Sequence, residues 1–291
     1  MMQNRTFGVR MFQAVNGLFL TALMALTLYP FVHLLSVSLS EGAEASRIGL
    51  HLWPRSLDWV AYREVLISEL TWIGYRNTVL RTVIGTALTA AMTAMTAYPL
   101  AKAYFPLRRT WIVLIVFTMI FSGGLVPNYL LIKELGLLNS LWALILPGLI
   151  SPFSLLIVRN FFQSIPVSLE ESARIDGASE LTVMRRIVLP LSMPVMATIA
   201  LWTAVGHWNA FFDAILYMTD KNKLVLQVIL RKIILEHQMI GQYDGAGLNM
   251  RTAQEAVEAA TIIVSTLPIL IVYPFLQKHF VKGVMLGSIK G

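Results

Sequence analysis

Apolar residues gather along this chain in long runs, separated by short polar stretches, and the shorter amphipathic patterns are confined to the connections. Six runs approach or reach the roughly 20 mainly apolar residues that a helix needs to cross a bilayer core about 30 Å thick. They extend from about Ala14 to Leu39, Asn77 to Ala101, Trp111 to Leu131, Leu141 to Phe162, Leu191 to Met218 and Ala259 to Phe280. The pattern predicts an all-α membrane protein with six transmembrane helices. Gly123-Gly124, Pro127, Pro147, Pro152 and Pro268 fall inside these runs. Membrane helices tolerate them because neighbouring helices satisfy the freed backbone groups. The second run is crowded with Gly85, Thr86, Ala87, Thr89, Ala90, Ala91, Thr93, Ala94, Thr96 and Ala97. Small residues of this kind let helices approach closely in lipid, so the stripe reads as a packing face.

Composition strengthens the membrane reading. Of 291 residues, 56% are hydrophobic and 13% charged, against about 45–50% and about 25% in soluble domains. The shortage of charge weighs more than the apolar excess, because a soluble fold needs polar residues to cover its surface. Mean hydropathy is +0.67. The chain reads as one transmembrane domain over residues 1–291, with a core at about 75–282 and a polar loop at 168–190, and no internal repeat.

The net charge of +7 takes its meaning from where the cations fall. With the N-terminus inside, the inner segments hold Arg5, Arg10, Lys102, Arg108, Arg109, Arg159, Arg174, Arg185, Arg186, Lys278, Lys282 and Lys290. The inner acids are Glu170, Glu171, Asp176 and Glu180. This excess predicts cytoplasmic N- and C-termini. No basic run marks a nucleic-acid patch. Cysteine is absent, which excludes disulfides, thiolate nucleophiles and Cys-ligated metals. The first run is too long for a signal-peptide core and lacks a clear cleavage site, so it reads as retained. Two outer segments, about Ser40 to Arg76 and Thr219 to Glu258, carry amphipathic stretches such as Leu224 to Leu235 and read as ordered caps or short interfacial helices.

The segment from Ser168 to Pro190 holds the densest pattern. Ser168 followed by Glu171 fits a capping box and predicts a short helix. Gly177 supplies a turn where positive φ is cheapest. Ser179 or Thr182 caps a second short helix, whose apolar positions Leu181, Val183, Met184 and Ile187 recur at helical spacing. Pro190 closes it and opens the next membrane span. Such a bent amphipathic pair lies on the bilayer, packs on its own protein or docks on a partner.

Glu171-Ser172-Ala173, then Gly177, then Ile187-x-Leu189-Pro190 resembles the EAA loop of ABC importer permeases. That family's pattern is Glu-Ala-Ala, three residues, Gly, nine residues, Ile-x-Leu-Pro, and Ser172 for Ala is the single departure. Asp176-Gly177-Ala178 resembles the carbohydrate, maltose-type branch. So do Phe121 to Pro127, the run from Asn139 to Pro152, Trp208-Asn209 and the tail Phe280 to Gly291. Overall likeness is to oligosaccharide and oligouronide permeases, alginate importers among them.

The resemblance implies a type I permease fold that pairs with a second related permease and two ATPase subunits. It also implies an external solute-binding protein that delivers a sugar. ATP and Mg would bind the ATPases, since this chain has no Gly-x-x-x-x-Gly-Lys-Ser/Thr loop and needs no cofactor of its own. In such a complex Glu171, Ser172, Ala173, Asp176, Gly177, Ile187, Leu189 and Pro190 form the ATPase joint, with Lys290 and Gly291 reaching it too. Alternatives in view are a permease for a non-sugar solute and a transporter or channel working alone.

For the pathway, His207, Trp208, Asn209 and Asp213 lie in the fifth run, where ionisable groups are costly and functional by default. Trp suits the apolar face of a sugar and Asn its hydroxyls. Equally, Trp208 packs on a partner permease, Asp213 sits at the outer interface and His207 serves as an interhelical bonder. Asn128 and Tyr129 are further candidates beside Pro127. No His, Asp and Glu set has metal-ligand spacing, and nothing assembles a catalytic triad, so the reading is of a non-enzymatic chain.

Overall fold

A computed structural model describes residues 7–45, 49, 51–243 and 254–271, and within them the chain is nearly all helical. It divides into two compact units, one of residues 1–69 with 230–267, the other of 70–229 with 268–291.

The first unit begins with α1 (Phe7–Ser38), whose 32 residues span about 48 Å at 1.5 Å per residue. Its Phe12, Leu18, Phe19 and Leu26 are exposed. Such an uncovered apolar helix suits lipid and is unsuited to water. A turn, α2 (Gly42–Ala45), and the helix α3 (Val60–Ile67) follow. The chain is folded back by the Asp58 N–H donating to Leu39 O at 2.9 Å and by a 2.8 Å bond between the Ser38 and Tyr62 hydroxyls.

The second unit is built on α4 (Glu69–Ala101). Thr71, Gly74, Thr78, Arg81, Gly85, Thr89 and Thr93 are buried on it at spacings of three and four, which is one helix face. The glycines there permit close approach. A Cβ at Gly74 would sit 2.9 Å from the Leu226 Cα, and one at Gly85 would run into the His207 ring. Residues 222–229 lie across this face. Thr78 Oγ1 accepts the Leu226 N–H at 2.9 Å, and Asn77 Nδ2 donates to Asn222 O and Leu224 O, both at 2.9 Å.

The expected third span is not one straight helix. α5 (Arg108–Ile120) and α6 (Leu125–Glu134) meet at 113°, with Gly124 at φ +87° in the break. The glycines that a membrane helix tolerates here end it. The fourth run is also bent, by 53°, between α7 (Leu141–Ile145) with its 3₁₀ turn and α8 (Pro152–Gln163). Ser151 accepts the Ser154 N–H at 3.4 Å and Pro152 opens α8, a usual use of proline in the first turn.

After α9 (Val167–Ile175) come α10 (Glu180–Val183), a π turn over Met184–Val188, and α11 (Leu189–Leu191). The chain then turns by 80° into α12 (Met193–Asn209). The break falls at Ser192 and not at Pro190, which sits inside the first turn of α11. Proline has no N–H to close the preceding turn, and the helix is widened to a π turn just before it. α13 (Phe212–Tyr217) and α14 (Leu226–Tyr243) follow, the latter helical over most of the amphipathic stretch that begins at Leu224. α15 (254–271) covers the described part of the sixth run, whose remainder lies outside the described residues. Among the described residues three helices are long and apolar enough to cross a membrane, and up to six spans result if each bent pair counts as one.

Candidate functional site

Two places gather the chemistry, both within the second unit. The first is the elbow of α9 and α10. No capping box forms, since α9 starts two residues early, with Pro166 and not Ser168 as its N-cap, and Ser168 lies inside the helix. The C-terminal end of α9 is well specified. The Ala178 N–H donates to Ala173 O at 2.9 Å and the Gly177 N–H to Arg174 O at 3.0 Å. This is the Schellman pattern, with Gly177 at φ +82° in the left-handed position. Space is open where a Gly177 Cβ would stand, so glycine is required by the backbone and not by crowding. Of the two expected caps, Ser179 takes the role, its Oγ accepting the Thr182 N–H at 3.4 Å.

Beneath the elbow lies a core of Ala97, Leu155, Val158, Phe162, Val183 and Val188, with Ala173, Ala178, Ile187 and Leu189 packed on its edge. Glu171, Ser172, Asp176 and Gly177 are exposed. Beside them Ile175 is 86% and Leu181 59% exposed, an apolar rim on the outside of the elbow. A cleft of about 650 Å³ opens between Ala173, Asp176, Gly177, Thr182 and Ile187. Pro190 is exposed. Lys290 and Gly291 lie outside the described residues.

The elbow is tied to the Ala101 end of α4 by charge. Lys102 Nζ pairs with both oxygens of Glu170, and both residues are buried. Arg174 donates to Glu170 at 3.2 Å and to Glu180 at 2.8 Å. The Tyr98 hydroxyl donates to Glu180 at 2.6 Å. The hydrogen bond from Arg174 is the main reason that the Glu180 carboxyl is pushed down to about 2. Sequence reasoning counted Glu170, Arg174, Glu180 and Lys102 only as loop charges and passed over Tyr98. The Glu170–Arg174 spacing of four was the available signal.

The second place is a pocket of about 520 Å³ bordered by α4, α7, α8, α12 and α13. Arg81, 3% exposed, was not singled out from sequence, although a guanidinium inside an apolar run is a signal in itself. It donates to Asp213 and, at 3.3 Å each, to Leu144 O and Ala210 O. His207 and Asp213 line the same pocket, as do Thr89, Ser151 and Trp202, whose ring stacks on Phe153 at 6.2 Å. The Arg81 Nε and the Thr89 hydroxyl are buried and have no protein hydrogen-bond partner.

The structure therefore brings His207 and Asp213 together and separates them from the other pathway candidates. Trp208 is buried near Tyr75, with ring centres 6.3 Å apart, and lines a different, apolar pocket with Val79, Val83 and Leu201. Asn209 is exposed and its amide donates to Val205 O at 3.0 Å. Asn128 is exposed on α6, and Tyr129 stacks on Tyr217. Among the described residues no group of three His, Asp or Glu side chains is placed to hold a metal ion.

Residues 6–286 match the family described as binding-protein-dependent transport system inner membrane component. The chain is 43% identical to Protein LplC of Bacillus subtilis over 290 residues, all of this chain and 98% of that one. It is 41% identical over the full length of both chains to the polygalacturonan/rhamnogalacturonan transport system permease protein YtcP of the same organism. Among solved structures it is similar to a chain of a bacterial ABC transporter involved in the import of the acidic polysaccharide alginate. There the TM-score is 0.86 and the identity 34%, covering 94% of this chain and 98% of that one.

Proposed function

This chain belongs to the family of binding-protein-dependent transport system inner membrane components, and from that premise we propose that the cargo it carries inward is an acidic oligosaccharide. It is a multi-pass permease subunit of an ABC importer in the inner membrane, and it is not itself an enzyme. Membership implies a partner permease, an ATPase and a solute-binding protein. Our finer reading is a core of this chain, one related permease and two ATPase copies that hold ATP and Mg, with both termini of this chain cytoplasmic.

The observation that carries the cargo is the paired full-length likeness to permeases named for polygalacturonan and for alginate, both polymers of sugar acids. The pocket at Arg81 supports it. A buried guanidinium and the hydroxyls of Thr89 and Ser151 suit carboxylate and hydroxyl groups, and Trp202 offers an aromatic face to a sugar ring. In this reading His207 and Asp213 belong to the pathway, while Trp208 supports the helices behind it. Asn209 and Asn128 face outward, toward a neighbouring subunit or the cargo on arrival.

The elbow supplies the drive. Glu171, Ser172, Asp176 and the exposed Ile175 present the ATPase-facing surface, and Ala173, Ile187 and Leu189 anchor it to the membrane helices. Closure of the ATPase dimer on ATP pushes α9, and the continuous path through α10 and α11 delivers that push to α12 across the bend at Ser192. Uptake by the complete complex in proteoliposomes tests the cargo. ATP-dependent entry of an oligogalacturonate, exceeding that of maltotriose, is expected. Entry of the neutral sugar alone would sink the assignment.

A further inference from the structure

We propose that Lys102 and Glu170, extended by Arg174, Glu180 and Tyr98, form a stiff ionic link through which movement of α9 is passed directly to α4. The two are positioning residues of transport. The proposal rests on the permease reading above and adds a second route to the covalent one through Ser192.

Adjacent acids on α9 have opposite surroundings. Glu171 is exposed, whereas Glu170 is 3% exposed, as the roughly 100° step between successive helical residues allows. Lys102 follows the last turn of α4 and is 8% exposed. Its ammonium meets both Glu170 oxygens and lies 4.5 Å from the centre of the Tyr98 ring. The Tyr98 hydroxyl reaches Glu180 at 2.6 Å on the other limb of the elbow. Arg174 spans the bend, donating at 3.2 Å to Glu170, at 2.8 Å to Glu180 and at 3.2 Å to the Tyr104 hydroxyl. Both limbs are thus held by one helix end, while the vertex at Gly177 stays open.

Stability alone gives little reason for this arrangement, because well-packed apolar residues commonly replace a buried ion pair without loss. What ionic contacts add is direction. Apolar surfaces slide over one another at small cost, whereas parting a buried charged pair strands each charge without its partner and is strongly unfavourable. A push on Glu171 and its neighbours therefore reaches α4, which also carries Arg81 of the pocket.

The test uses the complete complex and measures uptake per ATP hydrolysed in Glu170→Gln, Lys102→Met and the double variant Lys102→Met with Glu170→Met. Each single change is expected to lower that ratio by on the order of tenfold, inside the range of allosteric couplings. The double variant should be no worse than either single one. Unchanged ratios in the singles, losses that multiply, or restoration of coupling by the apolar pair would each overturn the link. Should the singles fail to assemble, the milder Tyr98→Phe variant decides. The chain has no cysteine, so spin labels at Ser168→Cys and Ala103→Cys, both exposed positions, report the distance across the link. A single narrow distance with and without ATP is expected, broadening in Tyr98→Phe; an unbroadened distribution counts against the proposal. Absence of any ATP-driven sugar uptake by the unaltered complex would instead remove the functional reading, leaving the label distances to judge the link.

Discussion

Gly177 shows how a single backbone angle sets the joint. At φ +82° with open space beside it, a side chain costs about 1–2 kcal/mol through the left-handed conformation alone. Gly177→Val is expected to leave insertion and assembly intact while lowering uptake per ATP, and normal coupling in that variant would remove the glycine's role. Glu180 makes a second prediction, on pH. Its carboxyl is held at about 2, chiefly by the Arg174 hydrogen bond, against an ordinary 4.5. The folded form thus favours the charged group. The resulting stabilisation is complete above about pH 4.5 and is lost as pH falls toward 2. The melting-temperature gap between the protein and Glu180→Gln should be constant from pH 8 to 6 and shrink below about 4.5. Arg81 is the third. Arg81→Met strands Asp213, whose side chain is 31% exposed, so the loss falls near the lower end of the about 3–5 kcal/mol for breaking a buried pair. Uptake of an acidic sugar should fall further than stability does, as parallel melting and transport measurements would show.

Among the elements, α4 is the one on which the others depend. Its small residues were legible as a packing stripe, and the structure shows what they admit: the His207 ring at Gly85 and the backbone at Leu226 opposite Gly74. Gly74→Val meets that backbone, which cannot swing aside as a side chain can. A loss of about 1–3 kcal/mol is expected from overpacking, read as a lower melting temperature in detergent; an unchanged value would mean that the 220–229 segment moves freely. The bent elements were less legible. Length and hydropathy count apolar residues without regard to direction, so α5 and α6 read as one span although they meet at 113°. The elbow was the reverse case, since Gly177 and Ser179 announce its turn and second cap locally. Its first cap failed because Pro166 already starts the helix, leaving Ser168 inside.

For the whole molecule, hydropathy alone established a helical membrane chain, because burying some 20 apolar residues per span in lipid needs no knowledge of neighbours. The residues from Glu171 to Pro190 likewise resemble the loop of the permease family, and their bend was legible locally, since a left-handed turn and a second helix are each set within a few residues. Pairings over long sequence distance were beyond such reasoning. Lys102 with Glu170, 68 residues apart, and Arg81 with Asp213, 132 residues apart, are fixed only when packed helices bring them together. The facing of neighbours on α12 was hidden in the same way. His207 turns to the polar pocket and Trp208 to an apolar one, because successive helical residues point about 100° apart and only the packing decides which direction is which. The sequence by itself determined the solvent, the helical class and the glycine bend, all matters of local chemistry. Tertiary structure decided which charges meet and which side chains share a cavity, because those contacts depend on where distant helices come to rest.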